Sequence, residues 1–180
     1  SCGSNRFGQL GLGDYEDRNT MNKIKSDINF VAIACGNSHT IALDDKGSVY
    51  SCGFNSYGQL GLGNNDDRNE MAKIESDTLF LSIACGISHS VALDDEGNIH
   101  SCGDNYYGQL GLGDNEDRNT MNRIKSDIKF VAIACGFRQT IALDDEGYVY
   151  SCGFNQKGEL GLGHNNHTNK MEKIKSNEKF

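Results

Sequence analysis

One unit of 50 residues is written three times in this chain and begun a fourth. Ser1-Cys2-Gly3, Ser51-Cys52-Gly53, Ser101-Cys102-Gly103 and Ser151-Cys152-Gly153 open the copies, with no insertion or deletion between them. Residues 1–50 and 101–150 agree at 39 of 50 positions. A fixed period of this length marks one supersecondary unit stacked against copies of itself. In such arrays function usually lies on the surface rather than in one buried pocket.

Within residues 31–80 the pattern is that of strands. Val31-Ala32-Ile33-Ala34-Cys35-Gly36 is a short apolar run closed by glycine, suited to a strand buried on both faces. His39–Asp44 alternates polar and apolar side chains, the period of a half-buried strand. Asp45-Lys46-Gly47 supplies a tight turn, and Ser48–Cys52 returns to complete an antiparallel hairpin. A glycine-dense turn, Gly58–Gly63, and a polar loop, Asn64–Glu70, precede a fourth short strand at Met71–Ile74. Four strands per repeat without helical periodicity predict an all-β fold, the four-stranded antiparallel blades of a β-propeller. Residues 1–180 then form a single propeller segment of about three and a half blades, with repeats 1–50, 51–100, 101–150 and a partial 151–180. Residue 1 falls inside a strand pattern, and Phe180 stands where an apolar strand follows in the other copies. The sequence is therefore expected to belong to a longer polypeptide. Its remaining repeats, or other subunits, would close the ring and protect the edge strands.

The net charge is −8 and no Lys/Arg-rich run occurs. That argues against direct binding to nucleic acid or to an anionic membrane, both of which call for a basic patch. The seven cysteines recur at two phases of the repeat, with no C-x-x-C pair. They read as small buried hydrophobes in a reducing compartment, cytosol or nucleus.

His39-Thr40-Ile41-Ala42-Leu43, then Gly47, Val49-Tyr50-Ser51-Cys52-Gly53-Phe54-Asn55 and Gly58-Gln59-Leu60-Gly61-Leu62-Gly63, closely resemble the regulator of chromosome condensation repeat. The resemblance covers the whole chain and implies a ring typically of seven blades, about 350 residues at this period. Cysteine stands at positions 2, 52, 102 and 152, where the family commonly has Trp. Methionine stands at 21, 71, 121 and 171, where a Pro is common. The family's founding member is a nucleotide-exchange factor for the small GTPase Ran that also binds chromatin. Its exchange activity uses an insertion in one blade, and the uniform spacing leaves no such insertion here.

Several motifs read more simply as structure. Gly8-Gln9-Leu10-Gly11-Leu12-Gly13 has the wrong order for a phosphate loop and recurs in every copy. The acidic loops at Asp14–Asp17, Asn64–Asp67 and Asp114–Asp117 lack the EF-hand pattern, and Arg18, Arg68 and Arg118 stand ready to neutralise them. His164 and His167 have no third ligand nearby for zinc. His39 and His89 give way to Gln139 in the third copy, which suits a hydrogen-bonding strut and not a general base. No catalytic residue, metal site or cofactor is expected.

Candidate partner-binding residues are those that vary on the constant scaffold: Phe54, Tyr57, Ile87, Tyr106, Tyr107, Phe137, Arg138 and Phe154. Aromatic residues and arginine are the types that anchor protein interfaces. Near-identical copies disfavour an enzyme, because catalysis needs different groups converging on one point. The sequence thus points to a scaffold presenting loops and blade faces to a partner protein. A guanine-nucleotide exchange factor for a Ran-like GTPase, and an architectural packing unit, are the alternatives.

Overall fold

Alternating side chains and glycine-bearing turns pair neighbouring segments of the chain into ladders, one ladder per repeat. The computed structural model describes residues 1–175, and all twelve of their strands lie in three antiparallel four-stranded sheets. The first blade comprises β1 (Phe30–Cys35), β2 (His39–Asp44), β3 (Val49–Gly53) and β4 (Arg68–Lys73). The second comprises β5 (Phe80–Cys85), β6 (His89–Asp94), β7 (Ile99–Gly103) and β8 (Arg118–Arg123). The third comprises β9 (Phe130–Cys135), β10 (Gln139–Asp144), β11 (Val149–Gly153) and β12 (Thr168–Lys173). Strands follow one another in chain order across each sheet, as in a propeller blade. Among the described residues no helix is long and apolar enough to cross a membrane.

The cores lie between blades. Ile41, Leu43, Val49 and Ile74 pack with Phe80 and Ala92 of the second blade. One repeat later Val91, Leu93, Ile99 and Ile124 pack with Phe130, Ala142 and Tyr150 of the third. Each sheet thus buries its apolar side chains against the next, and no blade has a core of its own.

The glycine-dense loops close these seams from outside. Gly63 N donates to Asn119 O at 2.7 Å and Gly113 N to Asn169 O at 2.7 Å, so each loop adds backbone pairing to the last strand of the following blade. Leu62 bridges Thr120 and Leu112 bridges Lys170 in the same manner. Gly58 makes the approach feasible: its φ is +79°, and a Cβ there would lie 2.4 Å from Asn119 Cα.

Four features differ from the sequence reading. The fourth strand starts at Arg68 and not Met71, because Arg68 pairs with Gly53 across β3. In the first copy the expected last two strands reduce, among the described residues, to an isolated bridge between Gly3 and Arg18, beside which no inner strand lies to extend a ladder. The innermost strands are not buried on both faces: Val31, Leu81 and Val131 are 60%, 64% and 54% exposed. Each is skipped in the register, Phe30 facing Asp44 and Ala32 facing Leu43, so a β-bulge turns it out of the ladder. Finally, Cys2 and Cys35 are exposed, since no sheet covers them among the described residues, whereas Cys52, Cys102 and Cys152 are buried.

Two outcomes follow from this packing. Gly58→Ala should destabilise the chain by roughly 3 kcal/mol, summing the left-handed backbone penalty and the forced separation of loop and strand. Gly158 has the same conformation (φ +81°) but a Cβ there meets only Asn165 Oδ1 at 3.7 Å, so Gly158→Ala should incur the backbone penalty alone. Thermal melts of the two variants separate the terms, and equal losses would refute the close-approach argument. Burial pushes the thiols of Cys52 and Cys152 up to about 12, so Cys2 and Cys35 should react first with an iodoacetamide reagent in the folded chain. Peptide mapping after brief labelling reads the order.

Candidate functional site

Antiparallel order places the β1–β2 turns and the long β3–β4 loops of every blade at one end of the sheets. That end is held rigid from below. Asn55, fully buried, organises its loop: Oδ1 accepts from Leu60 N at 2.9 Å, and Nδ2 donates to Asn64 O and Asp66 O. Its own backbone N donates to Asp67 Oδ1 at 2.8 Å, and Asn105 repeats the arrangement with Asp117. In these acidic loops Asp17, Asp67 and Asp117 each accept a backbone N–H from the asparagine that organises the loop. Asp14 and Asp114 in turn pair with Arg18 and Arg118. Among the described residues, no three His, Cys, Asp or Glu side chains converge as metal ligands would.

Histidines tie this end together across the seams. Ser90 Oγ donates to Gln59 O at 2.8 Å, so it must accept from His39 Nε2, 3.0 Å away in the preceding blade. Thr140 Oγ1 likewise donates to Gln109 O at 2.6 Å and accepts from His89 Nε2 at 3.2 Å. Nε2 thus carries a proton in both rings, and both Nδ1 atoms are buried without a hydrogen-bond partner. Burial lowers the pKa of His39 to about 4; burial, then the charge of His39, lowers that of His89 to about 3. These are struts: neither imidazole reaches solvent to exchange a proton with a substrate.

Above the struts, the varying residues gather into two groups. Arg138, in the β9–β10 turn, stacks its guanidinium 5.0 Å from the ring centre of Tyr107 and 5.4 Å from that of Phe137. Tyr107, in the β7–β8 loop of the neighbouring blade, meets Tyr106 edge-on at 4.8 Å and Phe154 at 5.0 Å. His167 stacks on Phe154 at 5.1 Å and completes the group. Ile87 joins through its backbone, its N–H donating to Phe137 O at 2.9 Å. Phe137 and Tyr106 stay 63% and 73% exposed although their neighbours fix them. Arg138 Nε is buried without a hydrogen-bond partner, and among the described residues no carboxylate pairs with this arginine.

Phe54 and Tyr57 belong to a separate group. Phe54 contacts Phe7 at 4.9 Å and Tyr57 at 6.1 Å, with Arg6 over Phe7. Between the two groups the equivalent ring position is Asp104, whose Oδ1 accepts from Tyr106 N. Of the eight candidates, six fall in one cluster and two in the other. Sequence reasoning missed Phe7 and His167 as members. His167 carried a readable signal: it replaces the Asp found at 17, 67 and 117, and its Nδ1 accepts the Asn155 N–H that those carboxylates accept elsewhere.

Sheets of four sequential strands, stapled loop to strand at each seam, define a β-propeller segment. The profile of the RCC1-like domain matches residues 1–180, and the chain belongs to that family. The chain superposes on human WBSCR16 with a TM-score of 0.86 and 28% identity, covering 97% of this chain and 46% of that one. Prp20p of Saccharomyces cerevisiae, the yeast RCC1, gives 0.84 at 23% identity, covering 98% and 46%. A 51-residue stretch is 47% identical to human HERC4, described as a probable E3 ubiquitin-protein ligase. It amounts to 27% of this chain and 5% of that protein. The chain therefore spans under half of these solved chains and a small fraction of its curated relative.

The buried imidazoles make stability depend on acid. Unfolded histidine binds a proton below pH 6.5, whereas His39 and His89 stay neutral in the fold until about 4 and about 3. The unfolded state thus binds more protons in that window, and stability falls as pH drops through it, by up to about 1.4 kcal/mol per pH unit per histidine. Replacing both by Gln, which the third copy carries at position 139, should flatten this limb in denaturant melts between pH 6.5 and pH 4. An unchanged limb would mean the rings are already charged in the fold.

Proposed function

We propose that this chain is a protein-interaction module that docks a partner on its β1–β2 and β3–β4 loop end, with Phe137, Arg138, Tyr106 and Tyr107 at the centre. The observation carrying this reading is the Arg138–Tyr107 stack. It joins two blades, holds two largely exposed rings in fixed positions, and leaves a guanidinium without a carboxylate. Rigid aromatic and arginine anchors sacrifice little conformational entropy on binding and dominate interface energetics. The chemistry proposed is recognition without catalysis or cofactor, on a surface formed before the partner arrives.

A photo-crosslinking amino acid at position 106 in the full chain identifies the partner, and titration then measures its affinity. Phe137→Ala with Arg138→Ala should weaken that affinity about 10- to 100-fold. Phe54→Ala, in the other cluster, should change it less than about threefold. Equal losses, or none at the 137/138 pair, would remove this site from consideration. The second reading, nucleotide exchange on a small GTPase, is supported by the fold shared with yeast RCC1, whose binding to Gsp1p has been studied. Accelerated release of a fluorescent guanine nucleotide from a Ran-like GTPase would favour it over simple docking.

A further inference from the structure

The opposite end of the sheets carries a second surface, independent of the aromatic cluster. Each blade's innermost strand bulges at the same point and extrudes one aliphatic side chain, Val31, Leu81 or Val131. Leu81 belongs to the middle blade, with a sheet packed on either side, and is still 64% exposed. Its exposure is therefore a property of the bulge and not of an uncovered outer sheet. Two hollows of about 490 and 420 Å³ run between successive blades at this end, and both are lined by Leu81 and Asp95. They form one trough, floored by Val31, Leu79, Leu81, Phe80, Phe130 and Val131.

The rim is acidic. The β2–β3 turns bring exposed Asp45, Asp95, Glu96 and Asp145 to its edge, against Lys46 and Lys129. The neighbouring Asp44, Asp94 and Asp144 serve the turns themselves, their Oδ1 atoms accepting backbone N–H bonds. Among the described residues no ion pair engages the rim carboxylates. Contiguous exposed aliphatic surface on a monomer marks an interaction site, and β-bulges recur where a side chain is re-aimed for function. An acidic edge steers and selects cationic groups.

We propose that this trough binds a basic, aliphatic segment of a partner protein, seating its apolar side chains on Val31, Leu81 and Val131 and its lysines or arginines against the turn carboxylates. The test titrates the full chain with a fluorescent peptide of alternating leucine and lysine. Companion peptides alternate serine with lysine, or leucine with glutamate. Saturable binding of the leucine–lysine peptide is expected, weakened about tenfold or more by Leu81→Ala and by the pair Asp95→Asn with Glu96→Gln. Binding should weaken further with salt, while Phe137→Ala, at the other end, leaves it unchanged. No binding of that peptide would overturn the proposal, as would equal binding of the serine–lysine peptide or indifference to both sets of variants. Thermal melts of the variants confirm that a loss is not unfolding; these side chains are exposed, so their melts should match the parent's.

Discussion

At each seam one buried backbone carbonyl must find its partners on the neighbouring blade, and this constraint fixes how the loops dock. The carbonyl of Gln59 accepts from Ser90 Oγ at 2.8 Å and from Cys102 Sγ at 3.4 Å, both on the following blade. Gln9 and Gln109 repeat the arrangement with Thr40 and Cys52, and with Thr140 and Cys152. A loop pressed between sheets carries polar backbone groups that water cannot reach, and each needs a partner. Here the partners come from the neighbouring blade, so a loop satisfied in its hydrogen bonds is also a loop docked in position. The same hydroxyls take up the imidazoles of His39 and His89, linking the interior of one seam to the one before it.

That division of labour explains where variation is tolerated. Asn55, Gln59 and Leu60 are buried at the seam, as are Asn105, Gln109 and Leu110, and the three positions are almost constant between copies, an exposed Glu159 standing for the glutamine in the last. The residues beside them, at 54, 56 and 57 and their equivalents, change freely. The scaffold fixes the backbone, and the side chains that leave it toward solvent are free to acquire a partner. In the third blade this freedom gives a stacked guanidinium; in the first it gives a smaller group of rings.

Much of the fold was legible because period and alternation are local properties. The hairpin of β2 and β3 follows from His39–Asp44, Gly47 and Val49–Cys52 alone, and the glycine loop was readable as structural from its recurrence. The bulges at Val31, Leu81 and Val131 were not legible: an apolar run looks the same whether or not one member is turned out of the ladder. Nor was the start of β4: Arg68, Asn69 and Glu70 are polar, and they extend as strand because Arg68 pairs with Gly53 while the preceding repeat's loop pairs with the backbone of Asn69 and Glu70. Candidate site residues could be named from variation. Their grouping could not, because Tyr107 and Arg138 lie on different blades and meet only through the packing of sheets.

Since the loop of one repeat grips the next sheet, the genetic unit and the mechanical unit are out of phase. Residues 51–100 hold the outer half of the first blade, the loop that clasps the second, and the inner half of the second itself. Copying any stretch of this length, from whatever starting point, would therefore add a blade together with its fastening. A gene that lengthens by tandem duplication of such a unit need not find a domain boundary to cut at.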